Sequence, residues 1–438
     1  MRTDRVSRRA FVEAGVVGAG LTAAGDRGLP VGGRQAGAPN DGGDLEDNVY
    51  TRLLGVRPHL GAHEHISRLG GGRMAPEVLE AMAEANEFFV DMHELTVAAG
   101  KRVAGLIGAE AALVTAGGFS GLVLGAAACL TGADPEKIEA LPHPTWGRRE
   151  CLIQAAQRFG YDRAYRTAGA TIVSATTRDE MMAKLTDRTA FIAGLSNAER
   201  QGVFAPPLSA RRAPPPAAEL LRQEELIALG KEAGVPVLID MASDLPPWDS
   251  VRRFLDAGAD LIVLSGGKVI GGPQSTGILA GRRDLIEAAR LNATPFDHIG
   301  RGMKVGKEEV IGLVAALERF VRRDHAGEMA QWNARARRIV DWLQGIPGLE
   351  VRYDLNTAGY ADADLSWDES VIPLDRDRLK AILSTGRPRV ELEVIITKER
   401  DSRVWHATAR TRVLRDGEEL LVAARLREVF LARGSRSG

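Results

Sequence analysis

Lys268 is the residue whose type and setting most directly imply chemistry. It follows Ser265, Gly266 and Gly267 and lies between two apolar runs, Leu261–Leu264 and Ile278–Ala280. That pattern reads as strand, tight loop, strand, with the lysine held at the loop. Glycines beside it let backbone and ligand approach closely. A partly desolvated amine there has a depressed pKa and can form a Schiff base with a carbonyl cofactor. Taken alone, the same string also suits an ordinary loop lysine, so the companions of Lys268 decide its meaning.

Two companions lie upstream. Val235-Pro-Val-Leu-Ile-Asp240 is a buried strand ending in a carboxylate, 28 residues before Lys268. In a sheet of parallel strands such an acid points into the crevice where ligands bind, where it can hold a pyridine nitrogen protonated; it can equally be a helix cap or turn residue. The second companion is the glycine turn after the strand Ala112–Thr115, which leads into an Ala/Leu-rich helix from about Ser120. Free amides at a helix start make Gly117, Gly118, Phe119 and Ser120 candidate phosphate contacts. The turn lacks the Gly-x-Gly-x-x-Gly spacing of a dinucleotide site, so a single phosphate fits it better than a pyrophosphate; a turn without any ligand is the plainer alternative.

These groups need a scaffold. The chain has 438 residues, 45% hydrophobic and 26% charged, enough for a substantial core and a second, smaller domain. Alternating segments, with strands at Cys151–Gln154, Ala170–Val173 and Thr189–Ala193 and helices at Tyr161–Ala168 and Glu219–Ala233, predict an α/β fold with a mostly parallel sheet. Helices are also expected at Met74–Ala85 and from Glu94 to Ile107, capped by Gly108. A long helix after Lys307, a helix Met329–Gln344, a strand Val390–Ile396 and a helix Glu418–Ala432 point to a small C-terminal α+β domain. The expected boundaries are 1–47 for a leader and linker, 48–310 for the large domain and 311–438 for the connecting helix and small domain. Two cysteines, Cys129 and Cys151, make no disulfide framework.

Composition narrows the partners. A formal net charge of −1 argues against a nucleic-acid surface. Ser7-Arg-Arg-Ala-Phe-Val12 precedes the small-residue apolar stretch Ala14–Ala24, the layout of a twin-arginine export signal, so a periplasmic or secreted protein, passed folded through the twin-arginine machinery, is expected. Residues 204–217 form a proline-rich loop with Arg211 and Arg212 that either edges the site or is a surface insertion.

Phosphate loop, strand-end aspartate and loop lysine, in that order, are the three anchors of pyridoxal 5′-phosphate (PLP) in its most common enzyme fold. From about Tyr50 to Phe430 the chain also resembles the selenocysteine synthase-like family that includes D-glucosaminate-6-phosphate ammonia-lyases. The motifs are Met74-Ala-Pro-Glu-Val-Leu-Glu-Ala-Met82, Gly108-Ala-Glu-Ala-Ala-Leu-Val-Thr-Ala-Gly-Gly118, Tyr161-Asp-x-Ala-x-Arg-x-Ala-Gly-Ala170, Ile239-Asp-Met-Ala242, Asp260–Lys268, Gly272-Pro-Gln-Ser-Thr-Gly277 and Gly300–Glu309. The resemblance implies the aspartate aminotransferase-like fold type I, a Lys268 aldimine with Lys268 as the catalytic residue, Asp240 on the pyridine nitrogen, a cradle at Gly117–Ser120, Ala242 near the ring and Ser265 near the phosphate. It also implies a homodimer or higher homo-oligomer, with Arg301 as a group that reaches a neighbouring subunit.

Departures from the family pattern matter equally. Where relatives place a histidine over the ring, this chain has Gln157, which stacks less well and cannot act as acid or base. The family's early Asn-Ala-x-Gly-Thr-like stretch is here Gly61–Gly72, where His63, Glu64 and His65 could supply replacement acid/base groups or even bind a metal, with His63 a candidate substrate contact and a structural or solvent-facing role the plainer alternative. Arg389, in Gly386-Arg-Pro-Arg-Val390, is the first candidate for a substrate carboxylate and Arg301 the second; no metal is expected. The expected activity is α,β-elimination on an amino acid or amino-sugar acid, a carbon–nitrogen lyase reaction favoured through the resemblance. Racemisation, epimerisation or aldol cleavage are the alternatives, an exported PLP-binding protein without turnover is an alternative of another class, and a nicotinamide oxidoreductase is the reading without PLP.

Overall fold

Strand β1 (Leu60–Ala62) and strand β2 (Ala111–Thr115) are close in sequence yet enter different sheets. A computed structural model describes residues 45–196, 220–356, 358–398 and 403–434. The expected export signal and residues 204–217, with Arg211 and Arg212, lie outside the described residues.

The larger sheet is built from β2, β3 (Glu150–Gln154), β4 (Thr171–Ala175), β5 (Thr189–Leu195), β6 (Val237–Asp240), β7 (Leu261–Ser265) and β8 (Gly277–Gly281), in the order β2-β8-β7-β6-β5-β3-β4. β8 runs antiparallel to both its neighbours, whereas β7, β6, β5, β3 and β4 pair in parallel. This is the α/β sheet expected from the alternation. The central strands are continuous apolar runs, and β5 and β6 are buried throughout, as strands covered on both faces must be. One apolar cluster on this sheet contains Ile192, Ile239 and Leu313, and another contains Leu124, Val263 and Ala289.

The helix Gly117–Thr131 is apolar on nearly every side and almost wholly buried. It packs between the sheet and the helix Arg283–Asn292. The helix Met92–Ile107 ends at the expected cap, Gly108, with φ of +74°, and starts two residues before the expected Glu94, where Asp91 accepts from the amides of His93 and Glu94.

The second sheet contains β1, β9 (Leu349–Leu355), β10 (Ala361–Asp368), β11 (Val390–Lys398) and β12 (Val404–Ala409), in the order β1-β11-β12-β10-β9. Here β1 pairs in parallel with β11, with Leu60, Gly61 and Ala62 opposite Val390, Glu391 and Leu392. The Arg410 amide extends this join by donating to the Ala62 carbonyl at 3.1 Å. The segment after β1 is thereby tied to the segment after β12. The helices His325–Leu343 and Glu418–Gly434 pack together, and Ile339, Val340, Leu426 and Phe430 share one core with this sheet. Among the described residues no helix is long and apolar enough to cross a membrane.

Candidate active site

Three strand ends meet at one edge of the large sheet. Leu195 of β5 lies opposite Asp240 of β6, and Asp240 lies opposite Val263 of β7. Two residues past Val263, Ser265 lies opposite Gly277 of β8, which in turn lies opposite Thr115 of β2. The glycine turn after β2, the acid after β6 and the lysine loop after β7 therefore open onto neighbouring positions, as strand ends in such sheets do.

Asp240 is 4% exposed and accepts a hydrogen bond from the Ala242 amide at 2.9 Å. Burial raises its pKa, and the Ala242 amide and the Lys268 ammonium pull it back only in part. The acid thus lacks enough positive charge around it. Lys268, partly buried, donates through Nζ to the Ser243 hydroxyl. Burial lowers the pKa of its amine, opposed by the Asp240 and Glu64 carboxylates. A depressed amine and an under-compensated acid within one another's field are what a ligand with an aldehyde and a basic ring nitrogen would use.

The phosphate-loop candidates are held against this pair. Gly117 has φ of +79°, a conformation that glycine adopts without strain. Its carbonyl accepts from the Thr115 hydroxyl at 3.0 Å, and the helix amides that follow point out of the helix start. A Cβ added at Gly118 would lie 2.9 Å from the Ala242 Cβ, so Ala242 covers the turn. Phe119 is partly buried and Ser120 is 8% exposed. A Cβ at Gly277 would meet the Gly117 carbonyl carbon at 2.5 Å, its oxygen at 2.6 Å and the Gly118 nitrogen at 2.8 Å. Gly277→Ala is therefore expected to push the turn away from β8 and weaken PLP binding by about 10-fold or more, read by fluorescence titration, with most of the fold retained. Unchanged binding would mean the turn holds no phosphate. The donors, the acid and the lysine together fit PLP.

Other expected residues lie elsewhere. Gln157 is fully buried; its Oε1 accepts from the Leu195 amide at 2.8 Å and its Nε2 donates to the Leu221 carbonyl at 3.1 Å. Both ends of the amide thus brace β5 against the segment that enters Gln223–Ala233. Arg389 donates to the Arg57 carbonyl at 3.1 Å and pairs with Glu391 at 2.8 Å, at the β1–β11 join. Arg301 is half-exposed and pairs with Asp297 at 3.1 Å. His63 is 2% exposed, with Nε2 3.0 Å from the His59 Nε2 and Nδ1 2.5 Å from the Glu64 carbonyl.

Lys268 also borders a cavity of about 470 Å³. Its lining includes Lys268, His65, Arg73, Trp332, Arg412 and Arg415, but not Arg389, Arg301 or His63. The arginine missed in the sequence is Arg412, three residues after β12. It contacts the Glu64 carboxylate, lies 3.4 Å from Asp362 and covers the Tyr360 ring at 4.2 Å. Arg410 joins Glu64 at 3.1 Å and Asp362 at 3.6 Å. Burial raises the Glu64 pKa, but Arg412, the hydrogen bond with His65 and Arg410 together hold it well below the usual carboxylate range. The only local hint was two arginines flanking a threonine after a strand, weaker than the Arg-Pro-Arg string that favoured Arg389.

The His59–His63 pair carries a pH dependence. Burial, then the His63 charge, lowers the His59 pKa from 6.5 to about 4, and burial lowers that of His63. Unfolded histidines bind protons in that window while the folded pair does not, so stability is present above pH 6.5 and is lost as pH falls toward 4. Urea midpoints at pH 7 and pH 5 should differ less in His59→Gln than in the wild type; equal differences would refute the assignment.

Comparison with known proteins follows the same lines. The family described as SelA: L-seryl-tRNA selenium transferase matches residues 217–331. The 5'-C-glycyluridine monooxygenase-decarboxylase of a Streptomyces species is 32% identical over 320 residues, covering 70% of this chain and 74% of that protein. The D-glucosaminate-6-phosphate ammonia lyase of Salmonella typhimurium is 25% identical over 399 residues, covering 88% of this chain and 98% of that protein. A solved structure of D-glucosaminate-6-phosphate ammonia-lyase superposes with a TM-score of 0.72 at 23% identity, covering 88% of this chain and 99% of that one.

Proposed function

The chain belongs to the selenocysteine synthase-like family of PLP-dependent enzymes of fold type I, and from that premise we propose that it is a carbon–nitrogen lyase acting on an amino acid or amino-sugar acid. The observation that carries the reading is the meeting of Lys268, Asp240 and the Gly117–Ser120 helix start at one sheet edge, in a chain that aligns with an ammonia lyase over 98% of that enzyme.

PLP, when bound, supplies a sink for the electron pair released at the substrate's α-carbon. The protein does the remainder. Amides of Gly117–Ser120 hold the phosphate, with Ser265 alongside, and Ala242 packs by the ring. Asp240 keeps the ring nitrogen protonated, and the charge it gains there relieves its own burial. Lys268 would hold the cofactor covalently, and its Nζ, once free, would take the substrate's α-proton; burial lowers the pKa of that amine, which favours its neutral form. Arg412, whose buried Nε has no protein partner among the described residues, lines the cavity, and its guanidinium would take the substrate carboxylate. The net change converts a 2-amino-3-hydroxy acid into a 2-oxo-3-deoxy acid and ammonia.

A second reading rests on the 32% identity to a monooxygenase-decarboxylase. It has oxygen consumed and carbon dioxide released. The two are separated by incubating PLP-loaded protein with D- and L-amino acids and amino-sugar acids, with and without oxygen. Ammonia and 2-oxo acid at equal rates under nitrogen support the lyase. Oxygen-dependent carbon dioxide release replaces it with the second reading.

We also infer export by the twin-arginine route, supported by Arg8 and Arg9 before the apolar stretch. Changing both arginines to lysine should strand the protein in the cytoplasm, read by fractionation. A homo-oligomer is supported by the helix Val49–Leu54, which buries none of its residues although it carries Val49, Leu53 and Leu54, and by the fully exposed Phe89. Sedimentation that gives a monomer mass of 47.0 kDa would refute it.

A further inference from the structure

We infer that His65 is the general acid that protonates the departing β-oxygen of the substrate, an assignment that rests on the lyase reading. The two histidines of the His63-Glu64-His65 string have opposite fates. His63 is sealed between His59 and the chain's own backbone. His65 lines the cavity that Lys268 also borders.

The ring of His65 is fixed from two sides. A Cβ at Gly72 would lie 3.2 Å from the His65 Cδ2 and 2.8 Å from the Lys268 carbonyl oxygen, so the imidazole packs against the loop that carries the lysine. The His65 Nδ1 faces the Glu64 carboxylate at 3.5 Å. Glu64 is itself clamped by Arg410 and Arg412. A carboxylate on Nδ1 orients an imidazole and fixes which nitrogen is turned away from it. Nε2 has no protein partner among the described residues, which leaves it to the cavity.

Lys268 Nζ takes the α-proton, the electron pair of the broken Cα–H bond becomes the second Cα–Cβ bond, and the Cβ–O bond breaks with its pair on oxygen. His65 Nε2–H passes its proton to that oxygen, which leaves as water. Lys268 then returns its proton to Cβ, water hydrolyses the resulting carbon–nitrogen double bond to give the 2-oxo acid and ammonia, and a solvent proton recharges His65. Lys268 and His65 thus divide base and acid between two side chains on one cavity.

The test uses PLP-loaded wild type, His65→Asn and His65→Gln with serine, threonine and glucosaminate as hydroxy substrates and β-chloroalanine as the contrast, since chloride leaves without a proton. The expected result is a kcat loss of about 10²–10⁴-fold on the hydroxy substrate and less than about 10-fold on β-chloroalanine. The calorimetric dissociation constant of alanine, which has no leaving group, should move less than about 3-fold. Equal losses on both leaving groups, or none, overturn the assignment while the lyase reading stands. If the wild type releases ammonia from no hydroxy substrate, the lyase reading falls and the assignment with it. Thermal unfolding of both variants separates misfolding from chemistry, and agreement between Asn and Gln excludes a single bad replacement.

Discussion

Lys268→Ala is expected to take up no PLP covalently and to lose at least about 10⁴-fold in ammonia release, because the same amine both holds the cofactor and accepts the α-proton. Borohydride reduction followed by mass mapping is the direct reading: wild type should carry the modification at position 268 and the variant none. A modified lysine elsewhere, or undiminished turnover, would remove Lys268 from the mechanism. The pH dependence has a defined sign. Burial lowers the amine pKa, so neutral Lys268, and with it the rate of cofactor capture, should rise with pH through a range below that of an ordinary lysine at about 10.4. The unfolded lysine binds more protons in that range, so this group's contribution to stability also rises with pH across it.

Asp240→Asn should separate function from stability. Asparagine keeps the shape but cannot hold a ring nitrogen protonated, so turnover should fall about 10²-fold or more, the scale of losing one preorganised charge at a reacting centre. The cofactor-free variant should unfold no earlier than the wild type, because burial raises the Asp240 pKa and its ionised form is disfavoured in the fold. The sign follows: the carboxyl's contribution falls as pH rises through that raised value, so any advantage of asparagine should widen at higher pH. Thermal unfolding without cofactor, beside ammonia release with it, reads both. A variant that unfolds much earlier yet keeps its activity would make Asp240 a structural acid.

Lys268, Asp240 and the Gly117–Ser120 turn were legible in the sequence because each is a local event. Each is a polar or glycine-rich interruption at the end of an apolar run, and sheets of this kind put strand ends together at one edge. The helices were legible for the same reason, from caps such as Gly108 and from apolar periodicity.

The other half of the site was decided only by tertiary structure. β1 is three residues long and carries no pattern that names its partner, and its register with β11 joins segments far apart in the chain. That pairing, with the Arg410 amide on Ala62, sets Glu64 and His65 beside Arg410 and Arg412. Arg389 and Arg412 are alike in composition and in following or preceding a strand. What separates them is which carboxylate lies within reach: Glu391 on its own strand for Arg389, Glu64 and Asp362 from other segments for Arg412. Gln157 is a loop polar residue in sequence and a sealed brace in the fold, because its partners at Leu195 and Leu221 come from other segments. Strand-end chemistry is written in neighbouring residues, whereas charge pairing and the choice of which histidine meets the cavity depend on contacts that exist only after the two sheets have formed.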